Sequence, residues 1–578
     1  MHLFRVWAPL PQKVELYLNG NKFPMTRDDN DWWSTEVESA KAGDDYGYLL
    51  DGEGPFPDPR SPSQPHGVHK LSRLVDPNAY PWMDRKFQAP PFPFAIIYEL
   101  HIGTFTLAGT FLSAIEKIEL LLALGVTHVE FMPIVEFSGN HGWGYDGVDL
   151  FAPHHAYGGP DDLKKLVDAC HARGLAVILD VVYNHLGPAG NYLAKFAPYF
   201  TRKFRTFWGE GVNYDDADSG EVRRFFCDNA LMWLRDFHFD GLRLDAVHGI
   251  FDTSATHILE QLEIEVEKLS AQMGRHLVLI AESDLNDPRL LWSRERGGFQ
   301  LDAQWSDDFH HALHTVLTGE MTGYYSDFGK IGDLAKALRR AYVYDGRYSK
   351  HRRRVHGRPV EGLSGHRFLG YLQNHDQIGN RARGERSSHL MSAGKLKIAA
   401  ALVLTAPFVP MLFQGEEWGA ETPFCYFTDF QEPEFAQAVR EGRCREFAAF
   451  GWKPEDTADP QAGETFGKSK LNWTEISRPP HAEILDWHKQ LIQLRRNEPD
   501  LCDGRMDAVR TNVDEMRRCM TIERGSIITI CNFSNELQTL FDRAGECHPL
   551  LVSKPETKIS DGRITLPPES VAILKQGK

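Results

Sequence analysis

Leu175-Ala-Val-Ile-Leu-Asp180, continuing as Val181-Val-Tyr-Asn-His185, is the stretch on which the fold turns. Five apolar residues in a row are too many for a strand with one wet face. Such a run belongs to a parallel sheet buried on both sides. The segment before it, Asp161–Arg173, has helical apolar spacing. The same grammar repeats along the chain. Strand candidates are 95–100, 126–132, 176–182, 241–244, 277–281, 299–304, 368–372 and 409–413. Helix-like segments lie between them at 111–124, 161–173, 229–237, 256–273 and 395–404. Eight buried strands separated by helices predict an α/β fold, the parallel (β/α)8 or TIM barrel. An open doubly wound sheet competes, but it usually carries a Gly-rich phosphate turn after its first strand. Glu99-Leu-His-Ile-Gly-Thr104 has none, and no GxxxxGK[ST] motif occurs.

Outside the barrel the pattern changes. With 578 residues, the chain has room for about three or four domains. Residues 1–92 read as an N-terminal β-sandwich: Val14, Leu16 and Leu18 alternate with polar residues, and Asn19-Gly20 supplies a hairpin turn. Trp32-Trp33 and Tyr46–Leu50 are further strand candidates, and the prolines at 55, 57, 59, 62, 65, 90, 91 and 93 break regular structure before the barrel. The barrel is expected over 93–500, ending with a helix at 482–497. Strand-like segments at 518–522, 527–531, 563–566 and 570–574 predict a small all-β C-terminal domain over 501–578.

The net charge of −16 argues against a nucleic-acid or anionic-membrane partner, both of which need a basic footprint. It fits a neutral ligand. The longest apolar stretch, Ile398–Leu412, contains Pro407 and Pro410 and is too short to span a bilayer. The N-terminal residues lack a basic region followed by an apolar one, so a cytoplasmic protein is expected. The eight cysteines have no zinc-type spacing and read as reduced thiols. Arg352-Arg353-Arg354 reads as a solvated loop. The 13 tryptophans are a mild surplus, usual in cores but also in sugar-stacking clefts.

Active-site groups of such barrels sit at the C-terminal ends of the strands. The third strand ends on Asp180, Asn184 and His185, and the fourth on Arg243, Asp245 and His248. The fifth ends on Glu282, the seventh on His375 and Asp376. Singly, each reads better as a helix cap or a satisfied histidine. Together they aim several mutually repelling acids into one mouth, which needs a functional reason. Arg243 and Asp245, two apart on a strand, project to one side, and the guanidinium keeps Asp245 ionised as a nucleophile requires. Glu282 has no adjacent cation in sequence. Neighbouring acids can push it up, leaving it protonated at neutral pH as a general acid. Carboxyls on adjacent strands can sit about 5 Å apart, the separation for double displacement with retention. A third acid, Asp376, can stabilise an oxocarbenium-like transition state. The acids with His185, His248 and His375 are also a candidate magnesium or zinc site. Against that stand the lack of an HExxH motif and the arginine beside Asp245. No metal or cofactor is expected.

Asp180-Val-Val-Tyr-Asn-His185, Gly241-Leu-Arg-Leu-Asp245, Glu282 and Asn374-His-Asp376, in this order, resemble the four sequence regions of glycoside hydrolase family thirteen, the α-amylase family. The resemblance implies Asp245 as nucleophile, Glu282 as acid/base and Asp376 as transition-state stabiliser. It places Arg243, His185 and His375 against the sugar at the cleavage point, with Asp180 behind Arg243. Tyr145, in His141-Gly-Trp-Gly-Tyr-Asp-Gly147, takes the place of the family's stacking tyrosine. Gln373–Ala382, Leu412–Trp418 with Thr422-Pro-Phe424, Trp305–His311 and Asp58–Gly67 resemble the members that release trehalose from malto-oligosyltrehaloses. Those stretches add Asp307, Asp308, His310, Gln377 and Arg381 to the candidate substrate contacts, and His248 joins them although it stands one position short of the amylase histidine. Trp143, Trp418, Phe207-Trp208 and Phe424 are candidate stacking platforms. Asn184 matches an amylase calcium ligand without evident partners, so no calcium is expected. Branching and debranching enzymes of the family, and a non-catalytic glucan-binding protein on the same scaffold, are the competing readings.

Overall fold

The computed structural model describes residues 1–206, 208–448, 452–453, 457–541, 547–560 and 562–577. Its centre is a closed parallel barrel of eight strands, in which each pairs with the next and the last returns to the first. They are β1 (Ile97–Leu100), β2 (His128–Phe131), β3 (Ala176–Val181), β4 (Gly241–Leu244), β5 (Val278–Ala281), β6 (Ala303–Trp305), β7 (Phe368–Gly370) and β8 (Val409–Phe413). The (β/α)8 expectation therefore holds. The sixth strand starts later than expected at residue 299. Gln300 adopts φ 65°, and Phe299 and Gln300 bond back to Arg289 and Trp292, so this stretch is a turn. The expected helix 111–124 is two, Phe111–Ile115 and Ile118–Leu124.

Side-chain alternation with period two sorts each strand into two faces. Ile97, Ile178, Val278, Ile280, Ala303, Trp305, Leu369, Val409 and Met411 fill the barrel interior. Val129, Phe131, Val177, Leu179, Leu242 and Leu279 instead join the core shared with helices Pro160–His171, Ser219–Asp236, Ile258–Met273 and Ala393–Leu404. Both faces are dry, which is why these strands read as unbroken apolar runs.

N-terminal to the barrel lie a three-stranded sheet (His2–Trp7, Trp32–Val37, Thr26–Arg27) and a five-stranded one built on Val14–Leu18 and Asp45–Leu50. Asn19 and Gly20 have φ 48° and 86°, and Leu18 pairs with Asn21, the hairpin geometry the dipeptide predicts. After the barrel come a five-stranded antiparallel sheet (Arg510–Asp514, Cys519–Arg524, Ile527–Asn532, Ser570–Gln576, Cys547–Val552) and a three-stranded one. No helix among the described residues is long and apolar enough to cross a membrane, and none of the eight cysteines is joined in a disulfide.

Two buried arginines close the end of a barrel helix, and one of them, Arg524, fastens the C-terminal sheet to it. Helix Ala393–Leu404 leaves carbonyls without intrahelical donors at its end. Arg495 donates to Leu404 O, Ala406 O and Phe408 O at 2.7–3.0 Å. Arg524, from the C-terminal sheet, donates to Thr405 O at 2.6 Å and Ala406 O at 2.9 Å. Cations are favoured at that end of a helix. Arg524→Met keeps the bulk but leaves Thr405 O without its arginine donor and Ala406 O with Arg495 alone, so a loss of about 3 kcal/mol is expected. Thermal melts would show it as a lower Tm with room-temperature turnover retained; an unchanged Tm would contradict the fastening role.

Candidate active site

Barrel parity builds the site. Ile178 and Ile280 point into the barrel, so Asp180 and Glu282, two residues further along, lie on the same side at the strand ends. The same parity carries Glu99 up from Ile97, and sets Arg243 and Asp245 side by side.

Arg243 is the hub. It is buried, and its Nη1 donates to Asp180 Oδ1 and Oδ2 and to Asp245 Oδ1, each at 2.8 Å. Nη2 lies 3.7 Å from Glu282 Oε2, and the guanidinium sits 4.2 Å over the Trp305 ring. One cation thus touches three carboxylates. Asn184 Nδ2 donates to the other oxygen, Asp245 Oδ2, at 2.8 Å. Glu282 Oε2 accepts from the Ala246 backbone N–H at 2.6 Å. Burial pushes Glu282 well above the usual carboxylate range; Arg243 opposes the shift, and Asp245, Asp307 and Asp376 add to it. Glu282, with no adjacent cation in sequence, thus meets one in space, and desolvation outweighs it. Burial also raises Asp180, to about 6, against the pull of Arg243.

A hydrogen-bonded chain leads away from the hub. Asp180 Oδ2 accepts from the Tyr145 hydroxyl at 2.6 Å, and that hydroxyl lies 2.7 Å from His375 Nε2. His375 Nδ1 lies 2.5 Å from Glu99 Oε1. Burial alone would lower His375, but the Glu99 carboxylate holds it above its ordinary value. Tyr145 stacks on His375 at 5.2 Å, and Trp143 meets His375 edge-on at 5.4 Å. The helix that begins at His375 is capped by Asn374 and Gln377. Its Gly379 lets Trp143 approach: a Cβ there would lie 1.9 Å from the indole.

Asp376 stands at the open side and accepts from Asn380 Nδ2 at 2.6 Å. Asn380 Oδ1 in turn accepts from Arg443 Nη1 at 2.8 Å. Arg443 belongs to helix Pro433–Ala448, which walls one side of a cleft of about 840 Å³ above Asp245, Glu282 and Asp376. His185, which stacks on Trp208 at 4.4 Å and 4°, lines the same cleft.

A strand-end acid pair in an open cleft fits glycoside chemistry, and similarity to known proteins agrees. The family described as α-amylase, catalytic domain, matches residues 103–208. The malto-oligosyltrehalose trehalohydrolase of Arthrobacter ramosus is 50% identical over 91% of this chain and 91% of its own length. That of Mycobacterium tuberculosis is 47% identical over 99% of each. The chain belongs to the malto-oligosyltrehalose trehalohydrolase family. A solved Salmonella typhimurium protein, provisionally assigned as an α-amylase, superposes with TM-score 0.91 at 38% identity, covering 99% of this chain and 97% of that one.

Membership in the trehalohydrolase family does not make every expected contact a cleft residue. Trp418 is buried with its indole N–H on Glu475, and Phe424 is wholly buried against Trp143, so neither offers a face to a sugar. Asp308 accepts from Asn286 and the backbone of Val343 and Tyr344. His310 is buried between Leu372 O and the Tyr325 hydroxyl. Both brace loops. Gln377 is spent on the helix cap, and Arg381 pairs with Glu320 at 2.9 Å. Trp143 lines the cleft floor but is mostly covered. Phe207 lies outside the described residues. Asp307 accepts from the Tyr371 hydroxyl at 2.6 Å and is pushed up to about 7 by burial and nearby acids. His248 lies 4.0 Å from Asp284, which also pairs with Arg352 at 2.9 Å. Arg352 is thus tied to the rim, not loose in a solvated loop.

Glu99, Asn380 and Arg443 escape the sequence reading as site residues, and Asn184, singled out at its strand end, takes the role of a donor to Asp245. Glu99 had a signal, a lone acid inside an apolar strand; Asn380 and Arg443, 63 residues apart, had none. Asn380→Ala frees Asp376 without touching the strand ends. Steady-state kinetics should show kcat down by about tenfold with KM little changed; an unchanged kcat would mean that Asp376 needs no such support.

Proposed function

We propose that this chain hydrolyses the α-1,4-glucosidic bond next to the terminal trehalose of malto-oligosyltrehaloses, with retention, and releases trehalose in the cytoplasm. The observation that carries the chemistry is the Arg243 guanidinium, in contact with Asp245 on one nitrogen and Glu282 on the other. Oriented by hydrogen bonds from Arg243 and Asn184, the Asp245 carboxylate attacks the anomeric carbon. Glu282, protonated at neutral pH, gives its proton to the departing trehalose oxygen. The glycosyl ester on Asp245 is then attacked by water, whose proton returns to Glu282, and the product leaves as the α-anomer. Asp376 stabilises the oxocarbenium-like transition state between these steps. Tyr145 and His375 line the sugar at the cleavage point, and the acid pair with water supplies the whole reaction.

Trehalose as the leaving group is supported by the likeness to proteins named malto-oligosyltrehalose trehalohydrolase, which runs through the N-terminal sheets, the barrel and the C-terminal sheets alike. A branching or debranching activity is less favoured for that reason. Maltotriosyltrehalose should yield free trehalose and α-maltotriose by proton NMR, with little reducing sugar from amylose. Branch-point formation, or β-anomer appearing first, would contradict the reading. Asp245→Asn should cut turnover by about 10⁴-fold while binding survives.

The pH profile follows from Glu282. A group raised above its ordinary value stays protonated up to that raised value, and its proton is lost as pH climbs through it. The alkaline limb of kcat/KM therefore belongs to Glu282. Asp307 adds to the raising of Glu282, so Asp307→Asn should move that limb to lower pH. A limb that stays put would assign it to another group.

A further inference from the structure

The loop that carries Trp143 and Tyr145 is closed at its base by a second ionisable cluster, outside the catalytic cleft. Strands Val135–Glu136 and Asp149–Pro153 pair antiparallel below the loop. Glu136 on the first meets His154 and His155, which follow the second directly. Glu136 Oε1 lies 2.7 Å from His155 Nδ1, and Oε2 lies 3.3 Å from His154 Nδ1. The three ligand atoms fall within 4.8 Å of one another. The Glu136 and His154 side chains are fully buried, whereas His155 is 24% exposed.

His154 is the anomaly. Its Nδ1 faces Glu136 Oε2 at 3.3 Å without a well-aligned hydrogen bond, and its Nε2 has no hydrogen-bond partner among the described residues. Leaving a buried polar group unpaired costs roughly 1–3 kcal/mol, so such a ring calls for a ligand. Phe137 stacks on it at 3.7 Å and 16°, which fixes the plane in which Nδ1 faces Glu136.

We propose that Glu136, His154 and His155 bind one divalent transition-metal cation, zinc, that clips the base of this hairpin. Two imidazoles and one carboxylate suit zinc and are too nitrogen-rich for calcium or magnesium. Zinc binds such atoms at about 2.0–2.1 Å in a tetrahedron, so its ligands lie roughly 3.3 Å apart. The His154 to Glu136 spacing is already 3.3 Å. His155, the exposed member, turns slightly to match, and water takes the fourth position on its open side. The cation is structural: its binding energy holds Glu136 against residues 154 and 155, and with them the loop whose Tyr145 hydroxyl reaches Asp180 and His375.

The full-length protein, stripped with a chelator, would be titrated with cobalt(II) and then zinc(II), with Tm followed in parallel. One cobalt per chain with visible d–d absorption, displaced by zinc, is expected, together with a Tm that zinc raises and a chelator lowers. His155→Ala removes the least buried ligand and should fold. Its affinity for cobalt should fall at least tenfold, and its Tm should no longer respond to zinc. Overturning results are no stoichiometric cobalt spectrum with no Tm response to zinc, or undiminished binding by His155→Ala. Either would leave the cluster as a His155–Glu136 ion pair only.

Discussion

A guanidinium buried at the mouth of a barrel is a costly object, and its burial orders the rest of this site. Arg243 leaves water only because Asp180 binds it with both oxygens and Asp245 and Glu282 complete its surroundings. A buried cation without such partners costs several kcal/mol. The carboxylates in turn tolerate one another because Arg243 stands among them. The cluster is therefore mutually dependent, and the barrel frame supplies its geometry: β3, β4 and β5 are neighbours in register, with Asp180 opposite Arg243 across the β3–β4 pair. The same frame separates the roles of two chemically similar acids. Asp245 receives two direct donors, from Arg243 and Asn184. Glu282 receives a single backbone donor and is dominated by desolvation.

The barrel was legible because parallel strands buried on both faces must be apolar throughout, as Ala176–Leu179 and Val409–Phe413 are. The acids at the strand ends were legible because they interrupt those runs. Short edge strands were not: Gln538–Phe541 and Lys558–Ser560 flank Arg563–Leu566, in which Ile564 and Leu566 are the only apolar residues. The turn at 299–301 looked like a strand because its apolar residues serve loop packing. In the site, what escaped notice depends on contacts far apart in sequence. Glu99 reaches His375 across 276 residues. Trp418 sits in a motif-like stretch, but only the fold reveals that Trp473 and Glu475 cover it.

Two supports of the cleft lie outside the barrel strands. The hairpin 135–153 brings Tyr145 to the hub, and helix Pro433–Ala448 reaches Asp376 through Arg443 and Asn380. Barrel strands fix Asp245 and Glu282, while these excursions shape the cleft above them. Specificity within the wider amylase family is free to change in such elements without disturbing the acid pair.

The central claim is that Asp245, poised by Arg243, forms a covalent bond to the sugar. The direct measurement uses 5-fluoro-α-glucosyl fluoride with Glu282→Gln, in which the slow second step traps the ester. Intact mass spectrometry should show one fluoroglucosyl group per chain, and peptide mapping should place it on Asp245. A label on Glu282→Gln protein at any other residue, or no label while the fluoride is still consumed, would contradict the account.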